Sequence, residues 1–167
     1  ANVNQPLLDY VLKTADVWLG EYGIDGFRLD VPNEVPFWFW KLFRERCDKV
    51  KKDVWLVGEL WGNAGRWIGP ECFDSTMNYI FRNTVLDYAK GGDAAALYRN
   101  LELLREVYPP QALYALMNLL SSHDVARSLH VLGDQGGHTA AAKAVDAKQR
   151  LRLAFFFQMT YPGAPAI

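Results

Sequence analysis

The feature that most constrains this chain is an alternation: short apolar runs, several ending on an acid, take turns with stretches whose apolar residues recur at helical spacing. Leu7, Leu8, Val11, Leu12, Ala15, Trp18 and Leu19 mark a first helix, with Asn4 before it and Gly23 after it as caps. Gly26-Phe27-Arg28-Leu29-Asp30-Val31 follows as an extended run, and Pro32 and Pro36 close it ahead of a second helix over residues 36–51. Trp55-Leu56-Val57-Gly58-Glu59-Leu60 reads as a buried strand, and a glycine-rich loop over 62–69 leads to another strand around 76–80. Helices are predicted at 81–90 and at 93–107, where Asp93 is the N-cap. Pro109-Pro110 then breaks the chain before an apolar strand over 113–120. A polar surface loop over 133–144, a helix over 146–160 and the opening of a further strand from Gly163 complete the pattern. Alternation without tandem hairpins predicts an α/β fold, with parallel strands inside and helices outside.

Composition excludes several classes. The 167 residues are 50% apolar, and 18 basic against 19 acidic side chains leave a net charge of −1, which removes the electrostatic case for binding nucleic acid or an anionic membrane. No apolar run approaches the roughly 18 residues that would span a bilayer. Cys47 falls in a helical pattern and reads as a small buried hydrophobe, and Cys72 lies in a loop; a single bridge between them stays open, since sequence carries no geometry. Three histidines without ligand-type spacing predict no metal site. Nothing near the N-terminus has the make-up of a signal peptide, and the compartment stays open.

In a parallel α/β sheet, reactive side chains collect at the carboxyl ends of strands. Asp30, Glu59 and Asp124 stand at or just beyond such ends. Arg28 lies two residues before Asp30, so both side chains share one face of their strand, and a guanidinium there favours an ionised, nucleophilic carboxylate. Glu59 is flanked by Trp55, Leu56, Val57 and Trp61, and apolar surroundings suit a carboxyl that delivers a proton. An ionised acid beside a protonated one is the pair that glycosidic bond cleavage uses. Singly, each acid reads as readily as the N-cap of the next helix; their order and context together carry the reading.

In that order the motifs resemble the α-amylase superfamily of retaining α-glucan hydrolases and transferases. Gly26-Phe27-Arg28-Leu29-Asp30 is similar to the family's fourth-strand motif, Val57-Gly58-Glu59-Leu60-Trp61 to the fifth, and Ser121-Ser122-His123-Asp124 to the seventh. The resemblance implies that Asp30 is the nucleophile, Glu59 the general acid/base and Asp124 the transition-state stabiliser, with Arg28 and His123 binding around them. Retention of configuration then requires the two reacting carboxyl groups roughly 5–5.5 Å apart. Val31-Pro32-Asn33-Glu34-Val35, and Phe73-Asp74-Ser75-Thr76-Met77-Asn78-Tyr79 with Phe81-Arg82, look like the cyclomaltodextrinase, neopullulanase and maltogenic amylase group. Asn33, Glu34 and Trp61 are therefore candidate substrate-binding residues, and Trp67 a further sugar platform. Asn78 and Tyr79 are expected to shape the mouth of the barrel, and Arg127 to brace the seventh-strand loop. Two residues depart from the family pattern: Ser122 stands where Asn is usual, and Gly62 replaces a frequent histidine.

The resemblance implies a partial (β/α)8 barrel, about strands four to eight, formed by residues 1–167 as a single segment. A complete barrel takes about 250 residues, so the chain is expected to be part of a larger enzyme, with earlier strands, an inserted domain and a C-terminal domain lying elsewhere. Little turnover is expected of the segment alone, and its open sheet edges predict self-association. The expected substrate is an α-1,4 or α-1,6 glucan, a maltooligosaccharide or a cyclodextrin. No cofactor is predicted; calcium stays open for a longer parent protein. The rival reading is a non-catalytic amylase-fold scaffold, and the presence of all three acids argues against it.

Overall fold

The computed structural model describes residues 3–133 and 140–167. The chain forms two compact units, residues 1–60 with 66–76 and residues 61–65 with 77–167.

The first unit opens with α1 (Gln5–Ala15), capped by the Asn4 side chain, which accepts from the Leu7 amide at 3.2 Å. The predicted helix does not run on unchanged: it widens into a π-helical turn over Asp16–Glu21, where the Tyr22 amide reaches back to the Val17 carbonyl. The strands β1 (Gly26–Leu29), β2 (Trp55–Gly58) and β3 (Ser75–Thr76) then form one parallel sheet in that order, with Gly26 opposite Trp55 and Leu29 opposite Gly58. Glycine is required at 26, because a Cβ there would lie 1.8 Å from the Trp55 carbonyl oxygen. Helix α2 (Phe37–Val50) buries Trp40, Phe43 and Cys47. Trp40 meets Phe73 edge-on at 5.3 Å and Phe43 meets Phe27 at 5.5 Å, the tilted geometry that aromatic quadrupoles favour. Asp74 ties helix to strand, since its Oδ2 accepts from the Leu56 amide at 2.9 Å and from Arg44 at 2.7 Å. Burial pulls the Arg44 guanidinium down, but its bonds to Asp74 and Asp48 outweigh that and hold it above its ordinary value.

The second unit holds α3 (Tyr79–Ala89), α4 (Ala94–Val107), α5 (Pro110–Ala115), β4 (Met117–Leu119), α6 (Ser128–Gly133), α7 (Ala140–Thr160) and β5 (Ala164–Ala166). Strands β4 and β5 pair in parallel. Asp93 caps α4 as its sequence position suggests, accepting from the amides of Ala95 and Ala96. Three expectations are corrected. The strand expected over 76–80 ends at Thr76, because Asn78 accepts from the Phe81 amide and starts α3 early. The strand expected over 113–120 is helical as far as Ala115: Pro110 sits at the first helical position, where its missing N–H costs nothing, and Ala112 and Leu113 are buried. The loop expected over 133–144 is helical from Ala140, while residues 134–139 lie outside the described residues.

The centre of this unit is partly polar. Asn118 is fully buried on β4 and receives the Asn78 side-chain amide at 2.9 Å, while its own amide donates to the Pro162 carbonyl at 3.0 Å. Gln158 of α7 donates to the Asn118 and Ala166 carbonyls, linking the helix to both strands. Gly163, at φ 136°, leaves room for this network, since a Cβ there would meet the Asn118 amide at 2.3 Å. Cys47 and Cys72 are both free and buried.

Candidate active site

In the first unit, parallel register carries Glu59 alongside Asp30. Arg28 pairs with Val57 and Leu29 with Gly58, and the Glu59 amide donates to the Leu29 carbonyl at 2.9 Å. Arg28 and Asp30 project together, as a two-residue strand period requires. The Arg28 guanidinium binds Asp30 through Nη1 and Glu59 Oε1 through Nη2, the latter at 2.9 Å. One cation thus spans two carboxylates, and these differ sharply in environment: the Asp30 side chain is 77% exposed, whereas Glu59 is 6% exposed. Sequence placed Glu59 among apolar neighbours; the structure adds a guanidinium to that burial.

The second Glu59 oxygen, Oε2, accepts the Val31 amide at 3.2 Å. Val31 supplies this bond from a left-handed backbone, φ 37° and ψ 52°, a conformation that costs a side-chain-bearing residue about 1–2 kcal/mol. The turn is pinned behind it by the Trp40 indole, which donates to the Pro32 carbonyl at 2.8 Å.

Asn33 and Glu34 lie in the 3-10 turn that follows. They line a cleft of about 270 Å³ together with Phe37, Arg66 and Trp67. The Arg66 guanidinium stands 5.4 Å from the Phe37 ring centre and 5.9 Å from that of Trp67, so it packs on both rings.

In the second unit, His123 and Asp124 are neighbours, Nε2 to Oδ1 at 3.3 Å. Ser122 is anchored from both sides: its Oγ accepts the Asp124 amide at 3.2 Å and lies 3.0 Å from the Tyr79 hydroxyl. Serine in place of the usual Asn therefore still caps the turn that carries Asp124. Trp61 stacks on Tyr79 with ring centres 4.7 Å apart and remains 53% exposed, the geometry of a backed aromatic platform.

Sequence reasoning missed Arg82. It was read as part of a motif, with bracing of the seventh-strand loop assigned to Arg127. Arg127 is exposed, and it is the buried Arg82 that donates to the Leu120 and Ala126 carbonyls at 3.1 and 3.0 Å. The available signal was a lone charge in the apolar run Ile80-Phe81-Arg82. Among the described residues, no cluster of three or more His, Cys, Asp or Glu side chains is placed to hold a metal ion.

Parallel strands, helices and carboxylates at strand ends define an α/β class, and comparison narrows it. The family model "Alpha amylase, catalytic domain" matches residues 2–167, and the chain belongs to the α-amylase family. It is 41% identical over 166 residues to neopullulanase 2 of Thermoactinomyces vulgaris, covering 98% of this chain and 26% of that protein. It is 39% identical over 161 residues to a cyclomaltodextrinase of Bacillus sp, covering 95% of this chain and 27% of that one. The solved cyclic α-maltosyl-(1→6)-maltose hydrolase of Arthrobacter globiformis, in complex with maltose, superposes with a TM-score of 0.85 at 30% identity, over 98% of this chain and 35% of that one. The fold is thus part of the amylase catalytic barrel, and the chain spans about a quarter of the length of the curated relatives it matches.

Proposed function

We propose that the protein is a retaining α-glycosidase acting on α-1,4 or α-1,6 glucans, maltooligosaccharides or cyclodextrins. The observation that carries this is the single guanidinium of Arg28 spanning an exposed Asp30 and a buried Glu59. In the first step the Asp30 carboxylate forms a bond to the anomeric carbon while the bond to the leaving oxygen breaks, and Glu59 gives that oxygen its proton. In the second step the Glu59 carboxylate takes a proton from water, which attacks the same carbon and displaces Asp30. The carboxylate form used in this step is the one that Arg28 and the Val31 amide bind. His123 and Asp124 hold sugar hydroxyls in the distorted ring, contacts that strengthen at the transition state. Trp61 offers a stacking face, and Asn33 and Glu34 face the acceptor through their cleft.

The segment corresponds to the C-terminal part of the catalytic barrel, about strands four to eight. The 167 residues alone give little or no turnover, because the matched relatives are about four times longer, and they self-associate through the outer edge of β1. Sedimentation showing a monodisperse monomer would count against that association. The activity is tested by NMR of the nascent product in the full-length protein: the α-anomer is expected first, and the β-anomer would overturn the retaining reading. Asp30→Asn is expected to lower kcat by about 10³-fold or more.

A further inference from the structure

We propose that Arg82 is a positioning residue for the segment that carries His123 and Asp124, clamping both ends of it. Arg82 is 8% exposed. Its donors go to backbone: Nε to the Leu120 carbonyl at 3.1 Å and Nη2 to the Ala126 carbonyl at 3.0 Å, with Nη1 on the Asn83 side chain at 2.8 Å. Leu120 and Ala126 bracket Ser121-Ser122-His123-Asp124. A planar guanidinium with donors at fixed angles sets the separation of those carbonyls in a way that a flexible ammonium does not. The Ser128 hydroxyl, a second donor on the Leu120 carbonyl, holds the near end. Burial lowers Arg82 below its ordinary value, outweighing the opposing pull of Tyr79 and Asp87. Between the clamped ends, Ser122 bonds Tyr79 and the Asp124 amide, and His123 Nε2 lies 3.3 Å from Asp124 Oδ1. By holding the Leu120 and Ala126 carbonyls together, Arg82 sets the span of the turn that carries the Asp124 carboxylate.

This inference rests on Asp124 acting on the substrate, and the experiment separates the two claims. In the full-length protein, Arg82→Lys, Asp124→Asn and the double variant are compared in kcat and KM on an activated maltoside. Arg82→Lys is expected to lower kcat by about 100-fold, as a displacement of about 1 Å at a reacting group does, with KM little changed. The double variant is expected to be no slower than Asp124→Asn alone, because Arg82 acts through Asp124. A role confined to stability would lower Tm and multiply with Asp124→Asn, and that outcome overturns the clamp. Should Arg82→Lys fail to fold, the exposed Asn83 gives the second arm: Asn83→Ala frees Nη1 and is expected to cost about fivefold in kcat, one hydrogen bond's worth, again without effect in the Asp124→Asn background. Wild-type kcat in Asn83→Ala and in Arg82→Lys overturns the proposal while leaving the function standing. An Asp124→Asn protein with full activity overturns the functional reading itself.

Discussion

Removal of Arg28 tests how the carboxylate pair is held. Glu59 is almost fully buried, with Arg28 Nη2 at 2.9 Å from its Oε1. With charge centres about 4 Å apart and an effective dielectric near 20, the attraction is about 4 kcal/mol. The Asp30 arm adds little, because that side chain is 77% exposed and screened pairs are worth about 1 kcal/mol or less. The Arg28 side chain is 31% exposed, which reduces the total, so Arg28→Met is expected to cost about 3 kcal/mol. Most of that loss is a buried carboxylate left without its cation. Glu59→Gln in the Arg28→Met background removes the charge and is expected to return about 2 kcal/mol. Urea unfolding followed by tryptophan fluorescence reads both values, with an unchanged slope showing that the unfolded state is the same. Equal stability of Arg28→Met with and without Glu59→Gln would refute the reasoning, since the charge on Glu59 would then not be what Arg28 compensates.

Two further outcomes follow from local chemistry. Val31→Gly relieves the left-handed strain and is expected to leave stability equal or raise it by up to about 1 kcal/mol, whereas Val31→Pro locks φ near −65°, deletes the amide that Glu59 accepts, and is expected to cost about 3 kcal/mol or more; equal urea midpoints for the two would contradict the assigned backbone. Burial pushes the Cys47 and Cys72 thiols up to about 12 from an ordinary 9.0. Each folded thiol keeps a proton that its unfolded form has lost, so stability present below pH 9 falls as pH rises toward about 12. Replacing both cysteines by Ala should flatten that decline in pH-dependent unfolding, and an unchanged decline would assign it elsewhere.

What the sequence revealed depended on the range of the interaction. Caps at Asn4 and Asp93 were legible because the capping side chain and its amides are neighbours in the chain. The pairing of Arg28 with Asp30 followed from strand period alone. The stretch over 113–116 was misread because a short apolar run fits either period, and the first-turn proline that decides for helix was taken only as a break. The link from Arg28 to Glu59 needed the parallel register, which brings together residues 31 positions apart. Arg82 was the least legible, since its acceptors are main-chain carbonyls that no side-chain pattern marks. The left-handed Val31 was equally hidden, because its backbone is imposed by the bonds around it rather than by its own preference.

The central claim, that Asp30 forms the covalent glycosyl-enzyme, is tested most directly by trapping. The full-length protein is treated with a fluorinated maltosyl donor that slows the second step, digested, and its peptides are weighed. The account predicts one added glycosyl group on the peptide containing Asp30, absent from Asp30→Asn. A label on another residue, or turnover of the natural substrate with Asp30 replaced, would contradict it.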